Sequence, residues 1–389
     1  KGIHPYIPEK GSVGASGDLS PLSHMALVLI GEGQAEVGGR WLSGRDALKT
    51  SGTTSLTLEA KEGLALNNGT QQMVAMGSLC LQDAYELLAC EEAALALSLE
   101  ALGGWVDAFD ERIHRLRPHP GQQSIAEHVR LLLVGSRMVR SMTRKNSASG
   151  HPQDPYSFRC APQVMGACKD ALDFAKKVFE VEMNSATDNP LLFPSEGLSL
   201  SGGNFHGQPV AMAIDFMSLA ISNLANISER RTSALLDHSL NNGLPPFLVG
   251  GDSKPGLASG MMAVQYTSTA LVAECKLLTH PASSDSIPTS SNFEDFVSMG
   301  PGAAYKARTI LENAQYVVAI ELLVAAQGVH LRGEEKLGEG TRKIYGTIRD
   351  KVKPLDADRS SHEDIEQLCR MIRNREFHDL WNPKKGKTC

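Results

Sequence analysis

Eighteen uninterrupted apolar residues occur nowhere in this 389-residue sequence. The mean hydropathy is also too low for a protein built of membrane spans, and no membrane partner is expected. No stripe of Lys and Arg interleaved with aromatic residues is present. Lys and Arg number 38 against 44 Asp and Glu, for a net charge of −6, so nothing tracks a phosphate backbone and no nucleic-acid partner is expected. The seven cysteines (Cys80, Cys90, Cys160, Cys168, Cys275, Cys369, Cys389) are odd in number and widely spaced. With no CxxC pair and no His at zinc spacing, they form neither a disulfide framework nor a metal site and read as reduced core thiols of a cytoplasmic protein. The first residues, Lys1-Gly2-Ile3-His4-Pro5, show no charged n-region, apolar h-region or initiator Met. No targeting signal is expected there, and the chain reads as one that starts mid-protein.

What is present is the composition of an ordinary folded chain, 42% hydrophobic and 21% charged, long enough for two or three domains or one large one. Ala, Leu and Met in long stretches free of Pro predict a mainly α protein. From Gly207 to about Leu240, Val210, Ile214, Met217, Ile221 and Leu224 recur at spacings of four and three, an apolar seam on one helix. Tyr85, Leu88, Leu95, Leu99 and Leu102 repeat the pattern within Leu79 to Leu102, and Leu311, Ala314, Val318, Leu322 and Ala325 do so again. Such seams predict bundle helices of about 20 residues, roughly 30 Å long, able to pack against other subunits. Strands are expected at Gln34 to Val37 and Arg40 to Leu42 around the Gly38-Gly39 turn. Gly/Ser/Pro-rich loops run from Gly11 to Pro21, Ser147 to Pro162, Pro190 to Gly207, Asn241 to Gly260 and Pro281 to Pro301; the tail from Lys384 to Cys389 is solvated. The expected division is 1–60 for a glycine-rich loop and hairpin region, 61–335 for a central bundle, and 336–389 for terminal helices and tail.

The segment Gly11-Ser12-Val13-Gly14-Ala15-Ser16-Gly17-Asp18-Leu19 is glycine-dense, yet it lacks the Gly-Lys-Ser/Thr of a phosphate loop, the preceding strand of a dinucleotide site and the Gly-x-Ser-x-Gly of a nucleophile elbow. Small residues permit a different chemistry. The amide nitrogen of Gly17 can approach the carbonyl carbon of Ala15, because glycine removes the bulk that would block it. Ring closure and loss of water from the ring and from Ser16 give an electrophilic methylidene-imidazolone.

With Pro21-Leu22-Ser23-His24 behind it, the segment resembles the signature of the aromatic amino-acid ammonia-lyases, a family that includes related aminomutases. Ala15, Ser16 and Gly17 match its self-processed triad. Leu66-Asn67-Asn68-Gly69-Thr70 resembles the segment whose Asn contacts the prosthetic group, a role that falls on Asn68; Asn67 stands where an apolar residue is usual. Gln153-Asp154-Pro155-Tyr156-Ser157-Phe158-Arg159 resembles the loop supplying Gln153, Tyr156 and Arg159 to the site, and Gly202-Gly203-Asn204-Phe205-His206 carries Phe205 to the pocket.

The resemblance implies a long-helix bundle of the fumarase/aspartase-like superfamily, a 4-methylidene-imidazole-5-one (MIO) group formed from residues 15 to 17, no diffusible cofactor and no metal. It implies a homotetramer with shared active sites. Arg159 offers a planar fork for the substrate carboxylate, Tyr156 and Gln153 hydrogen bonds, and Asn68 a donor to the imidazolone oxygen. The bland alternatives are a surface ion pair, loop packing and a helix cap. Asp18 is either an assistant to cyclisation or a cap.

Ala186-Thr187-Asp188-Asn189-Pro190, His206 and the stretch from Asp285 to Gly300 are similar to histidine-specific members, although Phe296 stands where those often carry His. Glu274, in Ala273-Glu274-Cys275-Lys276, matches the glutamate that faces the imidazole, and a carboxylate suits an imidazole N–H. The implied reaction is elimination of ammonia from L-histidine to give trans-urocanate. Alternatives are phenylalanine or tyrosine lyase or aminomutase activity in the same family, a fumarase or argininosuccinate-type lyase whose loop Ser is a base, and an inactive assembly subunit. Family members also carry a segment ahead of the position matching Lys1, with a Tyr-containing loop that supplies the base. Either that segment is a separate N-terminal polypeptide of the same enzyme, a partner of this chain, or the sequence is an incomplete piece of one longer chain; in both cases residues 1–389 alone are expected to be nearly inactive.

Overall fold

A computed structural model describes residues 1–142, 152–251 and 256–377. Residues 147–151 of one expected loop, 252–255 of another and the tail from Lys384 to Cys389 lie outside the described residues. The fold is mostly helical. In chain order its helices are α1 (Leu19–Leu29), α2 (Gly44–Thr50), α3 (Glu62–Asn67), α4 (Gln71–Leu102), α5 (Glu111–Arg115), α6 (Pro120–Leu132), α7 (Tyr156–Arg159), α8 (Ala161–Glu182), α9 (Gln208–Leu236), α10 (Met262–Leu278), α11 (Gly300–Arg332), α12 (Glu339–Arg349) and α13 (His362–Arg373). The strands are β1 (Ile3–Pro5), β2 (Gln34–Val37), β3 (Arg40–Ser43), β4 (Leu191–Phe193) and β5 (Leu198–Leu200).

The three expected long helices are α4, α9 and α11. The chain forms two compact units: Lys1–Cys80, Phe174–Phe216 and His280–Ala307 make the first, and Leu81–Asp173, Met217–Thr279 and Arg308–Cys389 the second.

In the first unit, β2 pairs antiparallel with β3 in the register Gln34 to Ser43 and Val37 to Arg40, as the Gly38-Gly39 turn predicts. A third strand, β1, joins the other edge of β2. Val28, Ala35 and Ala47 form a small core beneath this sheet, with Ile3, Val37 and Leu42 packed on it. The span expected as a loop between Pro190 and Gly207 contains a hairpin, β4 with β5.

In the second unit, α11 is buried on more than its expected seam: Val317, Ala319 and Ile320 are as enclosed as Val318 and Leu322. A helix apolar all round is a central one, and the four consecutive buried residues Ala94 to Leu97 show the same for α4. Both α9 and α11 are long and apolar enough to cross a membrane by length and composition, yet 72% and 83% of their most apolar stretches lie inside the fold, as in core helices. Cys80, Cys90, Cys168, Cys275 and Cys369 are buried and Cys160 is half-buried, with no disulfide among the described residues. Burial pushes the Cys168 thiol up to about 12 and those of Cys275 and Cys369 to about 11, so they stay protonated and inert.

Candidate active site

The expected site residues fall into clusters in the two units. In the first, the turn holding Ala15, Ser16 and Gly17 has left-handed backbone at Ser16 (φ 53°), at Gly17 (φ 79°) and at Gly14 (φ 80°). Ser16 is the unusual one, since a residue with a β-carbon rarely adopts that conformation. Gly17 is fixed by sterics as well: a β-carbon there would stand 2.1 Å from the carbonyl oxygen of Gly69. Its neighbour Asp18 donates its amide to the same oxygen at 2.7 Å. This close approach brings Asn68, which caps the end of α3 and is 2% exposed, onto the turn. Asn68 Nδ2 donates to the Ser16 carbonyl oxygen at 2.7 Å and to its hydroxyl at 2.9 Å. Its Oδ1 is buried with no hydrogen-bond partner, an orphaned acceptor at the reacting turn.

The loop carrying Asn68 is held from behind. Thr70 donates its hydroxyl to Glu182 at 2.6 Å, and Gln71 Nε2 donates to Thr187 Oγ1 at 3.2 Å. On the other side, the amide of Met299 donates to the Val13 carbonyl at 2.9 Å. Phe205 is half-buried; next to it, the His206 ring stacks on Phe296 at 6.1 Å, and His206 Nε2 meets the Phe296 carbonyl at 3.0 Å.

Asp18 has no exposed surface. Burial raises its pKa from 3.8 to about 6, opposed by the Met73 amide and the Ser12 hydroxyl that donate to it.

In the second unit, Gln153, Tyr156 and Arg159 line a cavity of about 440 Å³ together with Trp105, Asp107 and Ile113. Tyr156 is 70% exposed, with the Arg159 guanidinium carbon 5.0 Å from its ring centroid. Arg159 Nε is buried and has no hydrogen-bond partner among the described residues. Glu274, also in this unit, is exposed on α10 and accepts from Asn313 Nδ2 at 2.6 Å.

Two residues given no role at the motif level lie beside these clusters. Asp154, inside the quoted Gln-Asp-Pro-Tyr motif, anchors the cavity wall through hydrogen bonds no motif displays. Glu294 lies in the first unit, on the segment that Met299 ties to the triad loop, and its Oε2 accepts from the Thr289 and Ser290 hydroxyls at 2.7 Å each. Its only sequence signal was membership of the quoted Asp285 to Gly300 stretch.

The first unit thus presses a left-handed Ser-Gly turn against a buried amide donor. The comparisons define the chain further. A sequence model described as aromatic amino acid lyase matches residues 1–350, and the chain belongs to that family. It is 50% identical over 380 residues to a protein named histidine ammonia-lyase from Caldanaerobacter subterraneus subsp. tengcongensis, covering 98% of this chain and 73% of the relative. Among solved structures it is similar to histidine ammonia-lyase from Trypanosoma cruzi (TM-score 0.89, 40% identity, 98% of this chain and 71% of that one). It is equally similar to tyrosine aminomutase from Streptomyces globisporus (TM-score 0.92, 39% identity, 98% and 74%). The family uses the MIO group.

Proposed function

We propose that this chain eliminates ammonia from L-histidine to give trans-urocanate, with the MIO group formed from Ala15, Ser16 and Gly17. The observation that carries the reading is the pair of hydrogen bonds from Asn68 to Ser16 at a turn where Gly17 tolerates no β-carbon. Closing the Gly17 nitrogen onto the Ala15 carbonyl carbon leaves the Ser16 carbonyl as the ring oxygen, the atom Asn68 already faces. Held by Asn68 at residues 15 to 17, the group would supply an electrophile towards the substrate amine, which would make ammonia a better leaving group.

The other residues bind and orient. Asn68 steadies negative charge developing at the Ser16 oxygen, as a preorganised donor does. Arg159 takes the substrate carboxylate on its two-pronged face, and Gln153 and Tyr156 add hydrogen bonds at the same cavity. Phe205 contributes an apolar wall. A carboxylate receives the imidazole N–H: Glu274 is the candidate from the motif, and Glu294 is a second, favoured by its place on the segment bonded to the triad loop. A base removes the β-proton as the carbon–nitrogen bond breaks.

Four copies sharing sites is the assembly that suits this reading. Met212, Phe216 and Leu219 are exposed at helical spacing on α9, an apolar stripe of the kind a subunit contact covers. The cytoplasm is the location that suits its buried, protonated thiols.

The test is intact mass. The active chain should be lighter than its sequence by two water molecules, and Ser16→Ala, which removes the hydroxyl whose loss creates the methylidene, should fall short of that deficit by at least one water and lose activity. An active preparation at full sequence mass, or a fully active Ser16→Ala, would overturn the proposal.

A further inference from the structure

We infer that Asp154 is the positioning residue for Gln153, Tyr156 and Arg159; this rests on the reading that those three bind the substrate. The short turn α7 has four residues, far too few to hold itself together, and it begins on Pro155. It is closed by the Phe158 and Arg159 amides, both donating to the Pro155 carbonyl at 3.0 Å. Tyr156, at 70% exposure, is not fixed by burial, so its placement follows from the backbone beneath it. Phe158, fully buried, sets the depth of that backbone. The exit of the turn is held as well, by the Cys160 amide donating to the Tyr156 carbonyl at 2.8 Å ahead of α8, which leaves its entry to be fixed.

Asp154 anchors the entry. It is 5% exposed, although its neighbour Gln153 is exposed. Its Oδ2 accepts the Trp105 amide at 2.6 Å, and its Oδ1 accepts from Arg140 Nη2 at 3.5 Å. The receiving surface is itself rigid. The Arg140 guanidinium lies 4.8 Å from the Trp105 ring centroid, and Arg140 Nε donates to the Gly103 carbonyl. Its backbone is bonded on both sides, to the Gly104 carbonyl at 2.7 Å and from the Val106 amide at 3.0 Å. Gly104 makes the approach possible, since a β-carbon there would come within 2.9 Å of Asp154 Oδ2. A buried carboxylate on an amide and a guanidinium is a strong, directional tie. Placed one residue before the turn, it sets the angle at which the Arg159 fork meets a substrate carboxylate.

The experiment compares Asp154→Ala, Asp154→Asn and Arg159→Lys in the intact enzyme. It measures turnover of L-histidine and inhibition by two ligands, imidazolepropionate, which has the carboxylate, and histidinol, which lacks it. A misplaced clamp should lower kcat/KM in Asp154→Ala by about 10²-fold. It should also weaken imidazolepropionate relative to histidinol by roughly tenfold, the size of one lost ionic hydrogen bond. Asp154→Asn, which keeps an acceptor for the Trp105 amide, should fall between, and the mass deficit of the triad should be unchanged in both. Wild-type kinetics and an unaltered inhibitor ratio in both Asp154 variants, with Arg159→Lys impaired, would overturn the positioning role alone. Equal weakening of both inhibitors with loss of the mass deficit would overturn it too, since that is a folding defect. An unimpaired Arg159→Lys would instead overturn the substrate-binding reading on which the inference rests.

Discussion

Asp18 sits where three demands meet: it follows the reactive turn, it is wholly buried, and it accepts the Met73 amide near the start of α4. Burial dominates, and the carboxyl is raised from 3.8 to about 6. A folded-state pKa above the unfolded one means that the native state favours the protonated form. The associated stability is complete below pH 3.8 and is lost as pH rises through 6; the native state then carries a buried charge at a cost of roughly 3 kcal/mol. Asp18→Asn should therefore gain thermal stability relative to the parent as pH goes from 5 to 8, read from melting temperatures at matched salt. A difference between the two that does not vary with pH would contradict the assignment.

Residues of this kind explain what the sequence alone could and could not yield. The glycine-dense run and its motif neighbours single out Ala15, Ser16, Gly17 and Asn68 as residue types, yet that Asn68 donates to Ser16 is a contact across 52 positions. Glu274 is chosen by local match alone, and its bond to Asn313 is visible only in the fold. Asp154 was legible as a letter and illegible as an anchor, because its partners Trp105 and Arg140 lie in distant segments.

At the scale of elements, the apolar seams predicted α9, α4 and α11 because a bundle helix must bury one face, and that demand leaves a period in the sequence. Starts are less legible. The first turn of α4 takes a side-chain cap from Asp18, 55 residues before Met73, because the hydroxyl of Thr70, the local cap candidate beside Gln71, is committed to Glu182. Helix α8 carries a buried seam of Met165, Cys168, Leu172, Ala175 and Phe179, but charged residues between them dilute it. The strand β1 is three residues ending in Pro and exists only through pairing with β2.

One interaction ties three elements of the second unit together. Arg231 on α9 donates to Glu91 on α4 at 3.0 Å and to both oxygens of Glu321 on α11 at 2.6 and 2.7 Å, all three side chains being fully buried. Burial pushes the Glu91 carboxyl up against the pull of the Arg231 guanidinium, and the two short bonds to Glu321 make that carboxylate the cation's principal partner. Arg231→Met would strand the Glu321 charge and should cost about 3–5 kcal/mol, whereas removing both with Arg231→Met and Glu321→Leu should recover much of it. Urea midpoints of the two variants check this; a single variant as stable as the parent would show that the charge had found another partner.

For the whole molecule, the motif residues are divided between the units: the triad, Asn68 and Phe205 belong to the first, and Gln153, Tyr156, Arg159 and Glu274 to the second. The chain covers 73% of the length of its Caldanaerobacter relative, and its likeness extends to an aminomutase as well as to histidine ammonia-lyases. Fold and family follow from these similarities, while the substrate rests on the chemistry of the side chains. Glu274 is exposed and Glu294 half-buried, and a carboxylate at either place can accept from an imidazole N–H, which a phenyl ring does not offer. The direct measurement is the rise of product absorbance when the enzyme is given L-histidine, L-tyrosine or L-phenylalanine. Urocanate should form well ahead of coumarate and cinnamate; faster formation of either of those would contradict the histidine assignment.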